Sequence, residues 1–146
     1  NSGMQFRSAV REKGLVYGYQ ADMAMEGTIT GQLYDEYGPR TALALRGEMN
    51  SISPNGIKTI TKFAKPTDVL KGFKLSDWNA YRIVARGSHI LLEINGEKTC
   101  ELNDLEIGKS LSKGVLATAI IAGEPMKVQF KDIMLREWKK PAAKIK

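Results

Sequence analysis

The stretch WNAYRIVARGSHILLEING, residues 78–96, decides the fold of this chain because it carries two consecutive hairpin signals. Apolar and polar residues alternate on both sides of Gly87-Ser88, a glycine-led pair of the kind that two-residue hairpin turns favour. Asn95-Gly96 is the strongest short hairpin signal, since both residues tolerate the positive φ angles of a type I′ turn. The pattern predicts three strands of an antiparallel meander, at residues 81–86, 89–94 and 98–102.

Alternating stretches elsewhere predict further strands, with turn signals about every ten residues. These strands are predicted at residues 4–10, 15–25, 27–34, 41–45, 114–122 and 127–137. Residues 46–63 are polar and lack a clear periodicity, so we predict irregular structure there. No helix longer than about two turns is predicted, and the many short strands favour an all-β sandwich or barrel.

Composition limits the classes to which the protein can belong. The 146 residues fit one domain, and no apolar run approaches the roughly 18 residues of a membrane-spanning helix. The net charge of +6 suits an anionic partner, but the basic residues are dispersed and form no stripe with interleaved aromatics. We therefore predict no nucleic-acid partner and no membrane span. Residues 139–146 are interpreted as a solvated basic tail that follows a domain of residues 1–138.

The chain has one cysteine and one histidine, which excludes most metal and nucleophile motifs. Cys100 cannot form an intrachain disulfide or a thiolate cluster, and we predict a buried, unreactive thiol in a strand. His89 follows a turn and is interpreted as a surface or structural histidine. The glycine motifs that bind phosphates and dinucleotides are absent from the sequence, so neither a metal nor a cofactor is predicted.

Polar and aromatic side chains on predicted strand faces and strand ends are the candidates for a binding site. The candidates are Gln5, Arg7, Gln20, Asp22, Tyr34, Asp35, Glu36 and Trp78. Amide, guanidinium and carboxylate groups can hold sugar hydroxyls, and aromatic rings stack on the apolar faces of pyranose rings. Both a carbohydrate site and an ordinary solvated strand face are consistent with this pattern.

Five blocks of sequence resemble the 3-keto-disaccharide hydrolase family in their order and spacing. They are NSGMQFRS (residues 1–8), GYQAD (18–22), GQLYDE (31–36), WNAYRIVARGSHILLEING (78–96) and PMKVQFKDIMLRE (125–137). The resemblance covers nearly the whole chain and implies an antiparallel two-sheet jelly-roll sandwich of the concanavalin A-like type. It further implies a sugar site on the concave sheet, action on 3-keto-glycosides, and a secreted or periplasmic protein.

The resemblance also implies roles for the candidate residues. Asp35 or Glu36 is expected to be the catalytic acid/base, because a ketone at C3 of a sugar acidifies the neighbouring C–H bond and calls for a base. Arg7 and Gln20 are expected to bind hydroxyl or carbonyl oxygens. The remaining substrate-binding candidates are Gln5, Asp22, Tyr34 and Trp78.

Two departures from the family pattern bear on function. The family usually places a glutamine and a histidine on one strand where this chain has Ala119 and Ile121. The family domain also normally begins some tens of residues before its NSG block, so a missing N-terminal segment or a partner chain is expected to complete the sheet. Two functions stay open: an enzyme that acts on oxidised sugars, or a non-catalytic carbohydrate-binding or assembly module of a larger protein.

Overall fold

The computed structural model describes residues 1–24 and 29–138, which form ten β-strands and two short 3₁₀ turns. The strands are β1 (Ser2–Val10), β2 (Val16–Met23), β3 (Leu33–Glu36), β4 (Thr41–Ala44), β5 (Glu48–Ile52), β6 (Lys58–Lys62), β7 (Tyr81–Arg86), β8 (His89–Ile94), β9 (Glu97–Asp104) and β10 (Val115–Ile120). The 3₁₀ turns are Glu12–Gly14 and Asp68–Leu70. Within the described ranges, no helix is long and apolar enough to cross a membrane.

The predicted meander is confirmed in β7, β8 and β9. Arg86 pairs with His89, which leaves Gly87-Ser88 as the two-residue turn between β7 and β8. The next turn has positive φ at both Asn95 (52°) and Gly96 (85°), as a type I′ turn requires. β9 is longer than predicted and continues to Asp104.

The described strands form two five-stranded sheets. The first has the spatial order β10, β1, β2, β3, β4, and the second has the order β6, β5, β9, β8, β7. The predicted all-β, two-sheet sandwich is therefore confirmed. One pair departs from the antiparallel expectation, because β5 and β9 run parallel, with Met49 opposite Glu101.

The hydrophobic core lies between the two sheets and draws on both. The first sheet contributes Phe6, Tyr19, Ala21 and Leu33, and the second contributes Ile90, Leu92, Cys100 and Leu102. Cys100 has no exposed surface, and burial raises the pKa of its thiol well above the ordinary value. This agrees with the predicted buried and unreactive thiol.

Residues 46–63 are not irregular, contrary to the prediction, because they contain β5 and β6. β5 lacks a hydrophobic signature since two of its buried residues, Glu48 and Asn50, are polar. The Asn50 amide donates to Glu48 Oε2 at 2.9 Å, so each satisfies part of the other's hydrogen-bonding capacity. β6 is exposed at every residue, and an exposed strand has no burial pattern to reveal it.

The strand predicted at residues 127–137 is wrong, because the structure has no strand there. Strand-forming residues need a neighbouring strand to pair with, and this segment has no backbone hydrogen bond to another described residue. The strand predicted at residues 27–34 is observed only from Leu33 onward, as β3. Residues 25–28 and the predicted basic tail, residues 139–146, lie outside the described ranges.

Candidate functional site

Polar candidates from three neighbouring strands meet on the face of the first sheet that points away from the core. Gln5 in β1 lies opposite Gln20 in β2, which lies opposite Tyr34 in β3. Asp22 is two residues after Gln20 in β2, and Glu36 is two residues after Tyr34 in β3, so both acids point to this same face. The sheet register therefore brings five of the eight predicted site residues to one surface.

Gln20 joins the two carboxylates of this surface. Its amide nitrogen donates to Asp22 Oδ1 at 2.7 Å and to Glu36 Oε2 at 3.3 Å. The other oxygen of Asp22 accepts a hydrogen bond from Gln32 Nε2 at 2.8 Å. The Gln20 side chain is 1% exposed, and its carbonyl oxygen is buried without a hydrogen-bond partner. Gln20 therefore holds the two acids in place and is not itself open to a ligand.

Gly3 makes room for this arrangement. A β-carbon built on Gly3 would lie 2.6 Å from Gln20 Cγ and 2.8 Å from the carbonyl oxygen of Ala21. Both distances are shorter than van der Waals contact, so only glycine lets β1 pass beside the Gln20 side chain. Close packing against Gln20 therefore explains why a glycine occupies position 3 of the NSG block.

Burial sets the electrostatics of the two acids. Burial raises the pKa of Asp22, although the hydrogen bonds from Gln20 and Gln32 act in the opposite direction. Burial also raises the pKa of Glu36, and the nearby charge of Asp22 raises it further. Two close carboxylates whose pKa values are raised in this way are typical of sites that move protons.

A pocket of about 260 Å³ opens beside the two carboxylates. Its lining residues are Asn1, Asp22, Ile29, Gln32, Tyr34, Glu36 and Ile121. Ile121 is one of the two positions where the family pattern has a polar residue. The other, Ala119, lies opposite Gly3 in the same sheet. The pocket wall is therefore apolar at Ile121, where the family pattern predicts a histidine, and Ala119 stands outside the lining where the pattern predicts a glutamine.

A wider depression of about 600 Å³ lies at the turn between β1 and β2. Its lining residues are Arg11, Glu12, Lys13, Leu15 and Tyr17. The depression is open to solvent, because the residues that line it are exposed or half-buried. None of the predicted site residues lines it. We place the candidate site at the smaller pocket, where buried acids line the wall.

The structure separates Asp35 from Glu36. Successive side chains of a strand point to opposite faces, so Asp35 points toward the second sheet while Glu36 faces the pocket. Asp35 forms an ion pair with Arg40, whose Nε lies 3.0 Å from Asp35 Oδ2. Arg40 Nη1 also lies 2.7 Å from Asp104 and 3.4 Å from Glu106. Asp35 is thus engaged in a buried ionic network.

This network connects the two sheets. Asp104 accepts a hydrogen bond from the Tyr19 hydroxyl, and that hydroxyl oxygen accepts the backbone N–H of Leu111 at 3.1 Å. Glu106 forms a second ion pair with Lys109 at 2.7 Å. The ion pairs raise the pKa of Arg40 in spite of its burial. Such mutual satisfaction indicates a structural role.

The other predicted residues lie apart from the pocket. The Arg7 guanidinium donates to the carbonyl oxygens of Gly87 at 2.6 Å and Ala85 at 2.9 Å, so it ties β1 to the turn after β7. Gln5 donates to the carbonyl oxygen of Val16 at 2.7 Å and is 3% exposed. The Lys131 ammonium lies over the Trp78 ring, 4.4 Å from its centre. None of these contacts involves the Asp22 and Glu36 carboxylates.

Two residues that orient the candidate acids carry no signal in the sequence: Gln32 at the pocket, and Arg40 in the ionic network that engages Asp35. Gln32 orients Asp22 but lies just outside β3, and a polar residue beside a turn has no distinguishing pattern. Arg40 engages Asp35 across a turn, and its other partners lie more than sixty positions away in the sequence. The strand alternation of Asp35 and Glu36 was the one signal that could have separated their roles. The described residues contain no group of three or more His, Cys, Asp or Glu side chains arranged to hold a metal.

The fold and the pocket together define a β-sandwich with a small acidic pocket on one sheet face. The family model for the 3-keto-alpha-glucoside-1,2-lyase-like domain matches residues 1–136, so the chain belongs to this family of carbohydrate-related domains. No curated protein and no solved structure matches the chain.

Proposed function

We propose that the pocket beside Asp22 and Glu36 binds a 3-keto-glycoside and that Glu36 acts as the general base. The observation that carries the proposal is the shared Gln20 amide, which holds both carboxylates at the wall of one pocket. Membership in the family of 3-keto-alpha-glucoside-1,2-lyase-like domains supports the choice of a 3-keto-glycoside as substrate. The pocket volume of about 260 Å³ suits one sugar ring, since pockets for larger ligands typically reach about 300–1,000 Å³.

The proposed reaction is an elimination across C1 and C2 of the oxidised sugar. The ketone at C3 acidifies the C2–H bond, and Glu36 takes the C2 proton. The electron pair forms a C1=C2 double bond while the bond from C1 to the glycosidic oxygen breaks. The released alkoxide takes a proton from water, and Glu36 returns its proton to the hydroxide that remains, so the products are an unsaturated keto sugar and a free alcohol. Burial and Asp22 raise the pKa of Glu36, which makes it a stronger base than an exposed carboxylate.

Tyr34 supports sugar binding at the same pocket. It lies opposite Gln20 in the sheet and lines the pocket with Glu36. A partly exposed tyrosine presents both an apolar ring and a hydroxyl, which fits the mixed surface of a pyranose. Asp35 is not assigned to the reaction, since its carboxylate is engaged by Arg40 on the other side of the strand.

A second candidate function is sugar binding without catalysis. Ile121 lines the pocket and Ala119 lies in the neighbouring strand β10, so the two polar groups of the family pattern are replaced by apolar ones. Loss of groups that stabilise developing charge typically costs about 10²–10³ in rate for each group. An apolar wall still suits the apolar face of a sugar ring, so binding does not require those groups.

The test is turnover of a 3-keto-disaccharide, followed by the ultraviolet absorbance of the unsaturated ketone product. We expect the unsubstituted chain to release the alcohol and Glu36→Gln to lose about 100-fold or more in kcat. Glu97→Gln changes an exposed glutamate of β9 and should leave the rate unchanged. Asp35→Asn should lower stability but not the kcat of the folded fraction.

Three outcomes separate the candidates. If Glu36→Gln retains full turnover, the base assignment is wrong. Saturable binding of the keto sugar by calorimetry, with no turnover by the unsubstituted chain, supports the non-catalytic function instead. Absence of both binding and turnover overturns the proposal for this pocket.

A further inference from the structure

The segment FKDIMLREW, residues 130–138, exposes large apolar side chains on the surface. Ile133 is 62% exposed, Met134 is 90% exposed and Leu135 is 72% exposed. Neighbouring apolar side chains that are exposed together often mark an interaction site, whereas single exposed apolar residues do not. The segment makes no backbone hydrogen bond to another described residue, so its N–H and C=O groups are available for pairing.

The order of residues in this segment is self-complementary. When two copies are aligned antiparallel about Met134, Ile133 faces Leu135 of the second copy and Met134 faces its own counterpart. The same alignment places Asp132 opposite Arg136 and Lys131 opposite Glu137. The aromatic ends also match, because Phe130 falls opposite Trp138. Every charged residue of the segment therefore meets an opposite charge, and every apolar residue meets an apolar one.

This complementarity is specific to one alignment. A shift of one position in the partner places Asp132 opposite Leu135 or Glu137, which leaves a charge without its counterpart. Cross-strand pairs of opposite charge and of apolar side chains stabilise a sheet, whereas like charges directly opposite destabilise it. The sequence thus selects a two-fold symmetric pairing, which is the commonest symmetry of protein dimers.

Two cation–π contacts hold the segment against the surface of the chain. Lys131 stacks on Trp78 at 4.4 Å, and Arg86 stacks on Trp138 at 5.4 Å. Asp132 has a φ of 51°, a left-handed conformation that aspartate tolerates, so the segment is bent at this residue in the single chain. Pairing with a second strand would require Asp132 to adopt extended geometry.

We propose that residues 130–138 pair with the same segment of a second copy of this chain in an antiparallel, two-fold symmetric strand. The occupant of the surface is thus a second copy, chosen because the charges and apolar residues of the segment match those of its own reversed sequence. The inference does not depend on the proposed function, since the segment contributes no residue to the pocket beside Asp22 and Glu36.

The first test is a cross-link at the symmetry axis. Met134→Cys places one thiol opposite its counterpart, so mild oxidation should give a disulfide-linked dimer on a non-reducing gel. Cys100 is fully buried and should not react. Lys127→Cys is the matched control, because this exposed position does not face itself in the proposed pairing and should remain monomeric.

The second test is charge reversal, measured by sedimentation equilibrium. We expect Asp132→Arg and Arg136→Asp each to weaken dimerisation about tenfold, because each replaces two symmetry-related ion pairs by repulsion. The double variant should restore the affinity of the unsubstituted chain, which a general loss of folding could not do. Circular dichroism of each variant verifies that the fold is retained.

The proposal is overturned if the unsubstituted chain is monomeric at every concentration measured. It is also overturned if the double variant dimerises no better than the single ones, or if Lys127→Cys cross-links as readily as Met134→Cys. Any of these results would point to a different partner strand for the exposed segment.

Discussion

Gln20 and Glu36 are joined by a hydrogen bond of 3.3 Å, although they lie on different strands and sixteen positions apart in the sequence. The same amide nitrogen lies 2.7 Å from Asp22. One donor thus serves two acids, so the orientation of the Gln20 amide couples the positions of both carboxylates.

Replacement of Gln20 by methionine tests this dependence. Gln20→Met keeps the volume but removes the donor, so the ionised forms of Asp22 and Glu36 lose their shared hydrogen bond. We expect the pKa values of both carboxyls to rise further, by an amount visible in a carboxyl ¹³C NMR titration. Gln5→Met, on the neighbouring strand, is the control, because the Gln5 amide donates to the carbonyl oxygen of Val16 and not to either carboxylate among the described residues. Equal titrations in the two variants would contradict the assigned role of Gln20.

The raised pKa of Asp22 predicts how stability depends on pH. Burial disfavours the charged form, so the folded state holds the proton more tightly than the unfolded state. The Asp22 contribution is therefore most favourable below the ordinary aspartate pKa of about 3.9, and it declines as pH rises toward the raised value. Asp22→Asn should remove this decline.

Urea unfolding of the Asp22→Asn variant at several pH values between about 4 and 7 measures the effect. The exposed Asp77→Asn provides the reference, since its ion pair with Lys74 at 3.8 Å lies on the surface. The free energy of unfolding of Asp22→Asn, relative to that of Asp77→Asn, should increase with pH only in the acidic range, where Asp22 loses its proton. A pH-independent difference would show that the carboxyl of Asp22 titrates normally.

Arg40 should be among the most sensitive residues for stability. Arg40→Met leaves Asp35, Asp104 and Glu106 without their common cation in a buried region, and such a loss typically costs about 3–5 kcal/mol. Arg82→Met removes an exposed ion pair with Glu93 and should cost about 1 kcal/mol or less.

The free energy of unfolding of the two arginine variants, from urea denaturation, tests this contrast. A similar cost at both positions would mean that the buried network around Arg40 contributes no more than a surface pair. An Arg40→Lys variant should recover only part of the stability, since lysine cannot reproduce the forked contacts.

The close contacts around Gly3 predict that a larger residue at this position destabilises the fold. Gly3→Ala places a methyl group against Gln20 and the backbone of Ala21, and overpacking of this kind typically costs about 1–3 kcal/mol. Gly72→Ala is the control, because no atom beyond its chain neighbours lies within 4 Å of the position that its methyl group would take. Thermal unfolding of both variants should therefore show a lower melting temperature only for Gly3→Ala.

The meander was predictable from the sequence because local turn chemistry and burial period agreed there. Gly87-Ser88 fixes the register of β7 with β8, and Asn95-Gly96 fixes the start of the β8–β9 pairing, which shifts by one residue between Leu92 and Glu93. β5 was not predictable, because its buried Glu48 and Asn50 are stabilised by hydrogen bonds that only the tertiary fold provides. Residues 127–137 gave the opposite error, since a strand-like pattern does not form a strand without a partner.

For the candidate site, the sequence indicates residue types but not their geometry. Gln20, Asp22 and Glu36 are among the residues predicted from the sequence, and the structure joins them by hydrogen bonds. Arg7 is also among the predicted residues, but its long side chain crosses to the second sheet and bonds carbonyl oxygens there. Such contacts depend on which loop packs against which strand in the folded chain. The sequence of a single segment does not indicate that packing.

The parallel pairing of β5 with β9 sets an order for folding. β7, β8 and β9 can assemble from contacts between neighbours in sequence, which form fast because little chain entropy is lost in closing each turn. Met49 must find Glu101 across about fifty intervening residues, so this pairing is expected to form late. Until then the β9 edge of the meander is unpaired, and aggregation during refolding should begin at that edge.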